Sequence, residues 1–125
     1  MVLVDTSVWI RALSNRAPFA DELARLLEND EVAGHDLIYG ELLIGDRGGR
    51  KKLLTDYKRM FPTATVPHAE VVTFVEHRQL HGRGIGWIDV HLLASAIVSG
   101  ARLWTADPRL SAVADDFGVN YRAAN

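Results

Sequence analysis

Apolar positions along the chain follow two rhythms: short unbroken runs, and longer stretches in which they return every three or four residues. Val2-Leu3-Val4 is the clearest run. It has no polar alternation, which predicts a central parallel strand covered on both faces. Its end is abrupt, at Asp5-Thr6-Ser7. A short helix is expected over Thr6 to Leu13, with Val8, Trp9 and Ala12 on the buried side and Arg11 toward water. Ser14-Asn15-Arg16 breaks it, and Pro18 then suits the first turn of a second helix in which Phe19, Leu23, Leu26 and Leu27 share a face. Asp21 and Glu22 complement the positive end of its dipole.

Farther on, Glu31 to Gly34 reads as a brief strand, and Asp36 as the N-cap of a helix through Ile38, Glu41, Leu42 and Gly45. After the turn at Asp46-Arg47-Gly48-Gly49, a basic amphipathic helix is expected over Arg50 to Arg59. Thr63 to Val66 is read as a third strand ending at Pro67, and Glu70 to Leu80 as a helix. Gly82, Gly84 and Gly86 loosen the chain before an apolar helix from Ile88 to Val98 that Gly100 closes. Arg102 to Thr105 is a fourth strand, Asp107-Pro108 opens a helix through Ala114, and Gly118 to Tyr121 is a last edge strand. Short strands alternating with helices predict right-handed βαβ units: an α/β fold whose parallel sheet of four to five short strands has helices on both faces.

Length and composition narrow this picture. The 125 residues suit one domain with one core, so residues 1–125 are taken as a single domain. A formal net charge of −2 gives no whole-molecule attraction to nucleic acid, so any such contact needs a local patch. The chain has no cysteine, which removes disulfides and thiolate metal sites and is compatible with a reducing compartment. No apolar run approaches the ~20 residues of a membrane span. No basic region precedes the first apolar residues either, and a soluble cytoplasmic protein is expected.

Four acids stand out against the predicted elements. If the strands are parallel, Asp5 and Asp107 emerge on the rim formed by the strand carboxyl ends, where ligands of open α/β sheets collect. Asp89, in the first turn of its helix, is in line with Leu93 and Ile97 and turns inward, and Glu41 shares a face with Ile38 and Leu42. Each has a plainer reading. Asp5 and Asp107 suit helix caps, Asp89 suits a helix dipole, and an amphipathic helix can carry one misplaced Glu. Their conjunction favours a shared site. Clustered carboxylates repel unless a cation neutralises them, and all-oxygen ligands point to magnesium or manganese in preference to zinc.

These residues carry a resemblance. Val4-Asp5-Thr6-Ser7, Glu41-Leu42, Gly86-Trp87-Ile88-Asp89 with the following Val90 to Ala96, and Trp104-Thr105-Ala106-Asp107 together resemble the PIN-domain ribonucleases of the VapC toxin type. The likeness spans essentially the full length; Asp36 stands where the family often has Ser or Thr. The resemblance implies a three-layer α/β/α sandwich and metal-dependent hydrolysis of RNA by an endoribonuclease toxin. It also implies a homodimer and inhibition by a cognate antitoxin from a bacterial or archaeal toxin–antitoxin pair. In that reading Asp5, Asp89 and Asp107 hold the metal, Glu41 handles the attacking water, and Thr6, Ser7 and Thr105 orient the acids. Arg47, Arg50, Lys51 and Lys52, with Lys58 and Arg59, are the candidate RNA contacts; Arg11 and Arg83 are expected nearer the acids.

Other signals are weaker. His77 and His81 are four apart, but Arg78 stands where a metalloprotease motif has Glu. The glycines at 82, 84 and 86 follow a helix and do not match a dinucleotide fingerprint, and the three tryptophans are read as core. A receiver-like phosphoacceptor domain also gathers aspartates and magnesium, but it needs a lysine after a late strand; here Lys51, Lys52 and Lys58 are the only lysines. A non-catalytic interaction module would have no need for all four acids.

Overall fold

The computed structural model describes residues 1–123. Four short strands, β1 (Val2–Val4), β2 (Val32–Gly34), β3 (Phe61–Pro62) and β4 (Arg102–Trp104), form one sheet in the order β3-β2-β1-β4. All pairings are parallel, with Val2 opposite both Val32 and Arg102. β1 is therefore central, as its unbroken apolar run predicts, and Leu3 and Val4 are fully buried.

Helices α1 (Thr6–Leu13), α2 (Phe19–Glu28), α3 (Asp36–Ile44) and α4 (Lys51–Tyr57) lie in the crossovers from β1 to β2 and from β2 to β3. Helices α5 (His68–Arg78) and α6 (Trp87–Ser99) make the return from β3 to β4, and α7 (Pro108–Asp116) follows β4. The first two crossovers move across the sheet one way and the return runs the other way. Right-handed connections then place α1 to α4 on one face and α5 to α7 on the other. The result is a three-layer α/β/α sandwich, with α1 packed on α2 and α3, α3 on α4, and α5 on α6.

Several boundaries differ from the sequence reading. The third strand is Phe61–Pro62, not Thr63 to Val66. Thr63 closes the strand instead, since both its N–H and its hydroxyl donate to the Gly34 carbonyl, at 2.9 and 2.8 Å. The Ala64 N–H then leaves the sheet for Ser99 Oγ. Proline is tolerable in β3 because the strand is an edge. The predicted strand over Gly118 to Tyr121 shrinks to a single parallel bridge between Leu103 and Asn120. Helix α3 is capped by His35, whose Nδ1 accepts from Leu37 N at 3.0 Å, while Asp36 is already its first helical residue. Helix α5 starts at His68, directly after Pro67.

Two directions also differ. Arg11 bends back to donate to the Ser7 carbonyl at 2.9 Å, so it does not simply face water. Along α6 the buried stripe is Val90 and Leu92 to Ala96, whereas Ile97 is 37% exposed. Trp9 and Trp104 are core residues, but Trp87 is 43% exposed, with its indole against the rings of His68 and His91. The glycine turn before α6 is packed: at Gly84, φ is +79° and a Cβ would come within 2.7 Å of Arg109 Cδ. That contact seats the turn on the start of α7.

Candidate active site

Strand order sets the location of the site. Counting outward from β1, the chain goes to β2 and β3 on one side and to β4 on the other. The carboxyl ends of β1 and β4 therefore flank the topological switch point, where an open α/β sheet leaves a crevice. Asp5 directly follows β1, and Asp107 follows β4 after two residues. Asp89 enters from the first turn of α6 in one helical layer, and Glu41 from the second turn of α3 in the other.

Each of the four carboxylates has one oxygen held and one left over. Asp5 is buried, and its Oδ2 accepts from Ser7 Oγ at 2.6 Å and from Thr105 Oγ1 at 2.9 Å. Glu41 Oε1 accepts from Thr6 Oγ1 at 2.8 Å. Asp89 Oδ2 accepts from Gly86 N, and Asp107 Oδ1 from Arg109 N, each at 2.9 Å. Among the described residues the second oxygens of these acids accept no hydrogen bond. Anchoring one oxygen fixes the carboxylate plane and aims the other, as in the outer shell of metal sites.

The plainer readings of these acids are partly realised. Asp107 does cap α7. Asp5 occupies the N-cap position of α1 with extended backbone, yet its side chain makes no cap bond. Its carboxylate has been drawn toward the β4 side of the rim by Ser7 and Thr105. The same hydroxyls tie the two strand ends together, since Ser7 Oγ accepts from Ala106 N at 3.0 Å and Thr105 Oγ1 from Asp107 N at 3.1 Å. Thr6, Ser7 and Thr105 all touch the acids, as expected.

The acids also sense one another. Burial pushes the Asp89 carboxyl above its ordinary value, and the negative charges of Asp5 and Asp107 push it further, against the Gly86 hydrogen bond. Glu41 is held by Thr6, the residue next to Asp5. The set is a loose ring, however: among the described residues, no group of three or more His, Asp or Glu could together hold a metal ion. Asp5 and Asp107 are near enough for their charges to act on Asp89, but the acids are not gathered into one ligand cluster.

The basic candidates divide. Arg47 and Arg50 line a cavity of about 470 Å³ together with Thr6, Ile10 and Glu41. Lys51 is exposed on α4, and Lys52 is paired with Asp56 at 2.8 Å. Arg83 is paired with Asp116 at 2.7 Å and is not free to serve the acids. Two anchors have no side-chain signature in the sequence, because Gly86 and Arg109 act through backbone N–H groups.

The sheet order, the acid rim and its hydroxyl anchors define the class: the chain belongs to the PIN domain family, whose model matches residues 2–116. It is similar to Ribonuclease VapC32 of Mycobacterium tuberculosis, in strains CDC 1551 / Oshkosh and ATCC 25618 / H37Rv, each 45% identical over 120 residues. Those alignments cover 95% of this chain and 94% of the relative. The crystal structure of PAE2754 from Pyrobaculum aerophilum shares the fold, with a TM-score of 0.56 and 21% identity over 89% of this chain and 82% of that one. The likeness to VapC-type PIN ribonucleases and the α/β/α architecture read from the sequence are thus upheld. No helix of the described residues is long and apolar enough to cross a membrane.

Proposed function

We propose that residues 1–125 form one PIN domain that acts as a magnesium-dependent endoribonuclease toxin, cutting RNA and neutralised by a cognate antitoxin protein. The observation that supports this reading is the set of four carboxylates carried to the rim by β1, β4, α6 and α3, each with one oxygen anchored and the other accepting no hydrogen bond among the described residues. Similarity to a ribonuclease over almost the whole chain supports the RNA substrate. Cytoplasmic location and pairing with a second copy belong to the same reading through the family resemblance.

The donor set suits magnesium. Zinc usually takes four tetrahedral ligands that include nitrogen or sulfur. Magnesium takes oxygen, is commonly held by only one or two carboxylates, and keeps several waters, so it does not require a closed cage. Manganese takes the same donors. Asp5 Oδ1 and Asp89 Oδ1 are the proposed ligand atoms, with Asp107 Oδ2 reaching directly or through water. When bound, the ion lowers the pKa of water and offsets charge on the phosphoryl group in the transition state.

The chain's own groups do the rest. Thr6 occupies Glu41 Oε1, which leaves Oε2 to take a proton from the attacking water. Ser7 and Thr105 keep Asp5 oriented while substrate binds. Arg47 and Arg50 flank Glu41 and supply phosphate contacts.

The test is brief expression of wild type and of Asp5→Ala, followed by sequencing of RNA ends. Cut ends found only with wild type are expected. Equal cutting by Asp5→Ala in magnesium overturns the assignment.

A further inference from the structure

A second cavity lies on the same rim as the acids, beyond the ends of β2 and β3. It measures about 420 Å³ and is lined by His35, Asp36, Tyr39, Tyr57, Lys58 and Thr63, among others. Its volume lies within the usual range for small-ligand sites, roughly 300–1,000 Å³. Its inner wall is rigid. The Tyr57 hydroxyl accepts from His35 N at 2.9 Å, Thr63 is bonded to Gly34, and His35 Nε2 meets Ser95 Oγ at 2.9 Å.

Tyr39, Lys58 and Asp36 line the rest of the cavity, with the Tyr39 ring tilted against that of Tyr57. Asp36 is exposed and makes no hydrogen bond or ion pair among the described residues. Lys58 Nζ stands 5.1 Å from the centre of the half-buried Tyr39 ring. An aromatic ring, an ammonium and an acceptor-only carboxylate match a nucleotide: ring against base, ammonium against phosphate, carboxylate against a donor edge. The carboxylate is the discriminating group. Beside a polyanion it is tolerable only opposite paired donors, and among the bases guanine offers two adjacent N–H groups, at N1 and N2.

Reach is consistent with one continuous strand. Ser95, which holds His35, lies six residues beyond Asp89 on α6. At 1.5 Å per residue that is about 9 Å, or two to three nucleotides at a stacked spacing of roughly 3.4 Å.

We infer that this cavity is a nucleobase subsite that selects guanine at a fixed offset from the scissile phosphate, through Tyr39 and Asp36. The inference rests on the ribonuclease reading above. To test it, the full chain is incubated with magnesium and an RNA pool of random sequence, and the cut ends are sequenced for wild type, Asp36→Asn and Tyr39→Ala. Guanine enriched by roughly tenfold at one offset is expected for wild type, in line with a two-point base contact. Asp36→Asn should lose that enrichment, and Tyr39→Ala should raise KM by roughly tenfold, the loss of one base stack.

The inference falls if wild type cuts with no guanine enriched at a fixed offset, which would give the cavity to some other ligand. It also falls if the enrichment survives in Asp36→Asn. Wild type leaving all RNA intact in magnesium overturns the ribonuclease reading itself, so the two failures are distinct. Asp36 is exposed and Asn is isosteric, so that variant decides the matter even if Tyr39→Ala does not fold.

Discussion

Thr105 donates its hydroxyl proton to Asp5 Oδ2 at 2.9 Å across the β1–β4 seam, joining residues 100 apart in the chain. Thr105 Oγ1 in turn accepts from Asp107 N. One hydroxyl therefore couples the orientation of the acid after β1 to the backbone carrying the acid after β4. The register that sets Val4 opposite Trp104 brings the two strand ends together.

Replacing Thr105 by Val keeps the shape and removes this link. Buried hydrogen bonds contribute about 1 kcal/mol net, and loss of a group that orients a metal ligand typically costs about 10–100-fold in metal affinity or activity. Thr105→Val should unfold at slightly lower urea and need at least tenfold more magnesium for half-maximal cleavage. Thr105→Ser should recover most of both. Magnesium titration of cleavage, alongside urea melts, measures the two effects separately; an unchanged magnesium requirement in the valine variant would count against the proposed role of Asp5.

Glu41 and Thr6 make a second separable pair. Glu41→Gln retains an oxygen to accept the Thr6 hydroxyl, so the fold should be unaffected and the melting temperature unchanged. The proton acceptor is lost, and kcat should fall by about 10²–10⁴-fold, the usual contribution of a general base. Thr6→Val leaves the carboxylate but not its orientation and should cost less. A Glu41→Gln enzyme with wild-type kcat would remove Glu41 from the chemistry.

Much of this arrangement is legible in the sequence, because the relevant signals are local. Val2-Leu3-Val4 ends at Asp5, Asp107 precedes Pro108, and each spacing follows from one element meeting the next. What escaped is set by tertiary contacts. The third strand moved to Phe61–Pro62 because Thr63 turns both donors onto Gly34, a residue 29 positions away. His35 displaced Asp36 as the cap of α3 because the imidazole is pinned from the far side by Ser95. Asp is the more common cap residue, and nothing in the local sequence reveals that pin. The gap between four acids sharing a rim and four acids at bonding distance is likewise invisible in the sequence, since two of the acids are anchored by the backbone N–H groups of Gly86 and Arg109.

Core packing beneath the seam gives a prediction independent of chemistry. Leu103 is fully buried in β4, between β1 and the bridge to Asn120. Leu103→Ala should lower unfolding free energy by about 2–5 kcal/mol, the range for deleting a buried leucine side chain. Equilibrium urea unfolding reads this directly. A loss well under 1 kcal/mol would mean that the strand is less tightly packed than its burial indicates.

The basic residues should separate by position rather than by charge. Arg47 and Arg50 share a cavity with Glu41, whereas Lys51 is exposed and Lys52 is committed to Asp56. Arg50→Ala should raise KM and flatten the dependence of log affinity on log salt by about 0.7, the value for one phosphate contact on a single strand. Lys51→Ala and Lys52→Ala should alter both much less. Equal effects from all three would point to diffuse attraction by the helix instead of a defined phosphate path.

Acid should weaken the fold through His35. The ring is buried, its Nδ1 accepts from Leu37 N, and so Nε2 carries the proton and donates to Ser95. Protonation at Nδ1 would break the cap of α3 and place a charge in the core. Burial accordingly holds the His35 pKa below its ordinary 6.5, with a smaller push from His91 opposed by Asp36. The unfolded chain therefore binds the proton more readily than the folded one. The resulting stability is fully present above about pH 6.5, the unfolded value, and is lost as pH falls from there through the lower folded pKa. Urea midpoints measured from pH 7.5 down to 5 should decline. His91, also held low by burial, adds to that slope, so the informative quantity is the difference from His35→Asn. Asparagine can still cap α3 but does not titrate, and its variant should show a distinctly flatter decline. Parallel curves for the two proteins would show that His35 is not the acid-sensitive element.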